Sequence, residues 1–143
     1  GFPAQRMENA TKVEIPIPDG RKRKLDAMFD ALLTVAGEGF VFLNDLRYDF
    51  SRWSAILADK YGFESEYMYH AGKIWRGYVH PDDLEKYKRI VDLIISGRGD
   101  TGDLKYRARR PDGSYVVLQP RAFVICDDDG HPEYYGGIII EQL

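Results

Sequence analysis

The chain has 143 residues, 44% hydrophobic and 30% charged, with a formal net charge of −3, ordinary values for one globular domain that buries a core without staples. Its single cysteine, Cys126, excludes an internal disulfide framework and fits a reducing, cytoplasmic setting. The mildly acidic balance argues against a nucleic-acid protein, no apolar run approaches the roughly 20 residues of a bilayer span, and no secretory signal is visible. The chain opens with Gly rather than Met and so reads as a piece of a longer protein, with an output domain beyond Leu143.

Residues 1–20 carry Pro3, Pro16, Pro18 and an Asp19-Gly20 turn and read as a leader, with a short extended piece at 13–17, before a domain over 21–143. The tetrad Arg21, Lys22, Arg23 and Lys24 reads as the solvated start of a helix rather than as a nucleic-acid patch. Four cations at a helix N-terminus oppose the macrodipole, so the helix should continue upstream or pack on an acidic partner. Leu25, Met28, Phe29, Leu32, Leu33 and Ala36 then follow helical spacing and predict an amphipathic helix over 22–36, closed by Gly37 and Gly39. Its stripe is wide enough both to cover a sheet and to meet a second subunit.

Short strands are predicted at 39–43 and 47–51, paired through Asn44-Asp45. A helix over 53–61 follows, with Ile56 and Leu57 inward and Gly62 as its stop. The aromatic stretch 64–78 suggests short turns and loops. Pro81, Asp82 and Asp83 then open a long helix, because Pro suits a first turn and carboxylates complement the positive helix end. Leu84, Tyr87, Ile90, Val91, Ile94 and Ile95 give its buried face. After a Gly-rich connector at 97–102, three strands at 104–109, 115–126 and 133–140 are joined by Pro-Asp-Gly and Asp-Asp-Gly turns. Such turns are strong hairpin signals, because Gly adopts positive φ without steric cost. The order predicts an α+β fold with one antiparallel sheet of about five strands and helices over one face.

These residues resemble a PAS domain, the sensor module of bacterial signalling proteins. The likeness covers roughly residues 25–143 and rests on VHPDD at 79–83, YRARRPDGSYVV at 106–117 and DDDGHPEYYGGIII at 127–140, in that order and spacing. It implies five strands, at 39–44, 47–52, 103–109, 114–126 and 133–141, with the helix at 22–36 as the flanking helix through which many PAS domains pair. Leu25, Met28, Phe29 and Leu32 are then the candidate dimer contacts. YDFSRWS at 48–54 and EYMYHAGKIW at 66–75 resemble the PAS segments that precede GGDEF diguanylate cyclase domains. The cyclase motif itself is absent, since Gly136-Gly137 runs on into a strand, and the Asp-Ile-Thr ending common before an output domain is replaced by Ile140-Glu141-Gln142-Leu143.

No catalytic set is legible. His80 reads as a cap in the helix-opening motif and His131 as an exposed turn residue; His70 is the one histidine placed as a cavity candidate. Nothing marks a haem ligand, and the flavin-photoadduct relatives carry an Asn-Cys-Arg-Phe run that is missing here, so haem and photoadduct flavin are both disfavoured. Asp127, Asp128 and Asp129 read as a charged turn and not as a calcium loop; adjacent Asp82 and Asp83 point in different directions on a helix and do not make an acid/base pair. No serine has a nucleophile-elbow setting. The aromatics suggest instead a pocket between sheet and helices, with Trp53, Tyr67, His70, Trp75 and Tyr106 as candidate lining residues. Gln119 and Arg121 join them if their face of the central strand, shared with Tyr115, Val117 and Phe123, points inward; facing outward, Arg121 is a surface or dimer contact.

The reading is a non-enzymatic sensory domain, a homodimer that takes a small ligand of unidentified class and controls a covalently attached output domain. Its rivals are a ligand-free structural dimerisation module, whose cavity would hold nothing beyond waters, and a small enzyme on a cupped sheet.

Overall fold

The computed structural model describes residues 14–98 and 104–142. Helix α1 (Asp19–Val35) leads into strands β1 (Phe40–Asp45) and β2 (Phe50–Trp53). Then come α2 (Ala55–Tyr61), β3 (Tyr67–Tyr69), α3 (Ala71–Arg76) and α4 (Pro81–Ile95). Strands β4 (Tyr106–Arg109), β5 (Tyr115–Cys126) and β6 (Pro132–Gln142) complete the chain. All pairings are antiparallel, in the order β3-β2-β1-β6-β5-β4.

The sheet has six strands where five were expected. The extra one is β3, which pairs Tyr67 and Tyr69 with Arg52 and Phe50 at the sheet edge. Three residues are too few for an alternation signal, so the aromatic stretch read as loop. Strand β2 also starts later than expected. Residues 46–49 form the turn instead of Asn44-Asp45, because the buried Asp45 carboxylate accepts from the backbone N–H groups of Arg47 and Tyr48. Ser54 caps α2 and leaves Trp53 in β2; Ile56, expected inward, faces solvent while Leu57 is buried.

The larger correction concerns the faces. Alternation along each strand divides the sheet into two apolar clusters. On the inner face Phe42, Trp53, Tyr106, Leu118 and Ile139 meet α2 through Leu57 and Tyr61, α3 through Trp75, and α4 through the half-buried Leu84, Tyr87 and Ile90. On the outer face Val41, Leu43, Phe50 and Tyr134 are covered by Leu25 and Phe29 of α1. Helices therefore lie over both faces. Leu25 and Phe29, expected at a dimer surface, are buried in the domain's own core, and Met28 and Leu32 pack half-buried beside them. Each fully buried side chain of that size contributes about 1.5–3 kcal/mol, which a free monomer retains only by keeping α1 docked.

The basic tetrad finds the acidic partner that helix electrostatics demands. Arg21 donates to Asp45 and Glu133, Lys22 lies over the Tyr67 ring, and Lys24 lies over the Tyr134 ring. From the sheet side, Arg52 returns the arrangement, donating to Asp26 of α1 and to Glu66, with its guanidinium over Phe29. The helix starts at Asp19, earlier than expected, and Ile17 ahead of it donates its N–H to the Tyr69 hydroxyl. Most of the leader, residues 1–13, lies outside the described residues, as does most of the Gly-rich connector, 99–103.

Candidate functional site

The VHPDD stretch fastens the inner-face helices to the sheet. Val79 bridges to Ala108 of β4, and His80 caps α4 by accepting the Asp82 N–H on Nδ1. Pro81 fills the first helical position, where no N–H is needed. Asp83 accepts three hydrogen bonds from Arg107, one from its backbone and two from its guanidinium, at 2.8–2.9 Å. These bonds hold the Asp83 carboxyl below its ordinary value against the opposing effect of burial. The motif thus sets the height of α4 above the sheet.

Beneath α4 lies a small hollow of about 20 Å³, lined by Trp53, Trp75, Tyr87, Tyr106 and Tyr135 with apolar neighbours. Ring edges meet ring faces throughout: Trp53 and Trp75 are 5.0 Å apart between centroids, Tyr87 and Tyr106 4.7 Å. Such edge-to-face pairs add about 0.5–1.5 kcal/mol each beyond area burial. Trp75 donates its indole N–H to the Tyr106 hydroxyl at 3.0 Å. The Trp53 indole N–H is buried without a partner. Burial pushes the hydroxyls of Tyr87, Tyr106 and Tyr135 well above the ordinary tyrosine value, so all three stay protonated. No charged side chain lines this cavity.

Of the seven candidate pocket residues, the structure brings Trp53, Trp75 and Tyr106 together here. The others lie elsewhere. Tyr67 is on the outer face, its hydroxyl donating to Asp26 at 2.7 Å, and burial first, then that bond, push it up to about 12. Gln119 and Arg121 point outward: Arg121 is exposed and Gln119 accepts from Gln142. His70 sits at the sheet edge in left-handed backbone, ahead of α3, its Nδ1 2.6 Å from Asp49. Sequence reasoning missed Tyr87 and Tyr135 as lining residues. Helical spacing places Tyr87 on the buried face of α4, and that periodicity is the available signal.

A wider groove, about 490 Å³ and open to solvent, runs between α1 and the β5–β6 turn. There Asp127, Asp129 and His131 each place one potential ligand atom within 4.8 Å of the others. The turn itself uses Asp127, whose carboxylate accepts the N–H groups of Asp129 and His131. On the outer face beyond α1, Tyr115, Val117 and Ile125 of β5 are exposed.

The fold has solved counterparts. A sensory box histidine kinase/response regulator from Burkholderia thailandensis is 21% identical, with a TM-score of 0.61 over 76% of this chain and 81% of that one. The N-terminal domain of a diguanylate cyclase with PAS/PAC sensor from Marinobacter aquaeolei is also 21% identical, at 0.61 over 73% and 94%. A PAS domain from Colwellia psychrerythraea is 18% identical, at 0.58 over 87% and 98%. No curated protein matches the chain. The family described as PAS fold matches residues 50–139, well over half of the sequence. Six antiparallel strands and four helices are thus joined to a family match over residues 50–139: the chain belongs to the PAS fold family.

Proposed function

We propose that this is a non-enzymatic sensory PAS domain that regulates an attached output domain. The observation that carries the reading is the position of β6. Ile139 of β6 lines the interior cavity, while its neighbour Ile138 packs under α1 on the opposite face. One strand therefore touches both the cavity and the flanking helix. A ligand that prefers one placement of β6 shifts the balance between arrangements of α1, by no more than its differential affinity for the two. The output fits a diguanylate cyclase or a histidine kinase, since structures similar to this chain are described as parts of such proteins.

In this reading the domain is a homodimer that pairs through the outer face of β5, where Tyr115, Val117 and Ile125 are exposed, rather than through Leu25 and Phe29. The alternative is a structural dimerisation module without a ligand. It is favoured by the cavity's size, about 20 Å³, which suits a single water. Native mass spectrometry against the denatured mass, with an absorption spectrum of the same sample, separates the two. Extra mass or colour supports the sensor; a ligand-free dimer supports the structural module; a ligand-free monomer overturns dimerisation.

A further inference from the structure

We propose that the groove between α1 and the β5–β6 turn is the centre of a two-fold dimer interface, in which Lys24 of each copy pairs with Asp128 and Asp129 of the other. This inference rests on the dimer reading and names the contacts that hold the two copies in register.

The charges of the groove are divided between its walls. Arg47 is occupied within the chain, 3.4 Å from Asp127 and 3.5 Å from Glu133, and Glu133 also accepts from Arg21 at 2.6 Å. Asp127 is committed as well, since its carboxylate accepts the N–H groups of Asp129 and His131. That leaves Lys24 on the α1 wall and Asp128 and Asp129 on the turn wall. All three are exposed, and among the described residues none of them forms an ion pair. The Lys24 ammonium lies instead 5.5 Å from the centroid of the Tyr134 ring. Across an open space of about 490 Å³, the cation and the two carboxylates do not reach one another.

A second copy of the chain supplies what each wall lacks. A two-fold axis along the groove carries every point on one wall onto the opposite wall of the facing copy, so each Lys24 meets the other copy's carboxylates and the pairing occurs twice. A surface with one sign on either side of such an axis is self-complementary, whereas a surface of one sign repels its own copy. Between the walls Met28 and Ile125 give the groove an apolar floor. An apolar centre with charges at its rim is the usual anatomy of a protein interface. Ile125 is 43% exposed and ends the outer face of β5, so the groove continues the face through which the domain pairs in that reading. A partner of a single charge fits the groove less well. A basic segment would meet Lys24 and Arg47, and an acidic one would meet Asp127, Asp128, Asp129 and Glu133.

The test is charge reversal with rescue in the full chain, read by light scattering after size exclusion over a dilution series. Lys24→Glu alone, and Asp128→Lys with Asp129→Lys in one chain, each set like charges against one another at both contacts. Each variant should weaken the dimer at least about tenfold. An equimolar mixture of the two variants restores opposite charges at both contacts and should dimerise with an affinity close to the parent's. Recovery on mixing also shows that both variants are folded. Cys126, the single cysteine, lines the groove beside Ile125, so a short bismaleimide should link two parent chains and fail to link Lys24→Glu. Reversals that leave dimerisation unchanged, a mixture that stays monomeric, or a parent dimer that the reagent does not link overturns the inference. So does a native mass spectrum in which the monomer holds a small molecule that Lys24→Glu loses, since the groove would then take a dipolar ligand and not a second copy. Failure here is distinguishable from failure of the dimer reading. A parent that Val117→Glu dissociates and the charge reversals do not is still a dimer, paired elsewhere on β5; a parent that is monomeric at every concentration removes both.

Discussion

Arg21 and Asp45 form a bidentate pair across the outer face of the sheet, with Nε and Nη2 of the guanidinium 3.0 and 2.7 Å from one oxygen of a wholly buried carboxylate. A third bond, from Nη1 to Glu133 at 2.6 Å, ties the same side chain to β6. Burial works against the charge on Arg21, and its bonds to Glu133 and Asp45 outweigh that, leaving the guanidinium more firmly protonated than usual. Removing one partner of a buried pair strands the other charge, so Arg21→Ala should cost about 3 kcal/mol in urea denaturation. The double change Arg21→Met with Asp45→Leu should cost much less, since no charge is then left unpaired. Equal losses from the two would show that packing, and not the stranded carboxylate, sets the effect.

The paired glycines of β6 do different work from the cyclase motif they superficially resemble. Gly137 has φ of 152°, and a methyl there would fall on the Arg121 carbonyl oxygen and 2.8 Å from the Ala122 Cα. At Gly136 a methyl would meet the Phe42 carbonyl oxygen at 2.7 Å. Neither obstacle is a flexible side-chain end that can move aside. Gly137→Ala should therefore lose on the order of 3 kcal/mol or more, measured by chemical denaturation. Gly113→Ala supplies the control: its φ is also positive, at 89°, but nothing lies within 4 Å, so it should lose only the backbone strain.

Acid should loosen α1 before it dissolves the inner core. The bond from Arg21 lowers the Glu133 carboxyl below its ordinary 4.5. Asp26, beside Arg52, is also held below 3.8: burial acts to raise it, and its bonds from Tyr67 and Lys22 prevail. A carboxyl depressed in the folded state contributes stability that is fully present above its unfolded pKa and is lost as pH falls through the folded one. Stability measured from about pH 7 downward should therefore hold until about pH 4.5 and then decline. Glu133→Gln should make that decline shallower. A decline of unchanged steepness would remove Glu133 from the linkage.

The exposed apolar residues of β5 give the dimer proposal its own test. Val117→Glu places a charge beside the exposed Tyr115 without touching either apolar cluster. Light scattering after size exclusion should show a shift from dimer to monomer, while the thermal midpoint of the monomer stays close to that of the parent. Ala27→Glu, on the exposed side of α1, should leave the association unchanged.

Much of this architecture is legible in the sequence, because local rules act over a few residues. The Asp112-Gly113 and Asp129-Gly130 turns fix the hairpins, both glycines taking the positive φ that those turns require. His80, Pro81, Asp82 and Asp83 announce the start of α4, and the helical spacing of Leu25 and Phe29 announces α1. Strand alternation likewise puts Gln119 and Arg121 on one face of β5. Which face that is, however, depends on strands and helices far away in the chain. A side chain's alternation says which residues share a side and nothing about what covers that side.

The tertiary structure therefore decided the matters on which function turns. It put α1 over the outer face, by matching Arg21 to Asp45 and Arg52 to Asp26 across sequence separations that no local pattern encodes. That placement turned Leu25 and Phe29 from dimer contacts into core, and turned Tyr67 and Arg121 away from the cavity. It also left the Trp53 indole without a partner, a property of packed neighbours that no residue carries alone. The sequence determined the elements and the family; the long-range pairing of charges and faces decided which side chains line the aromatic hollow and which lie under α1.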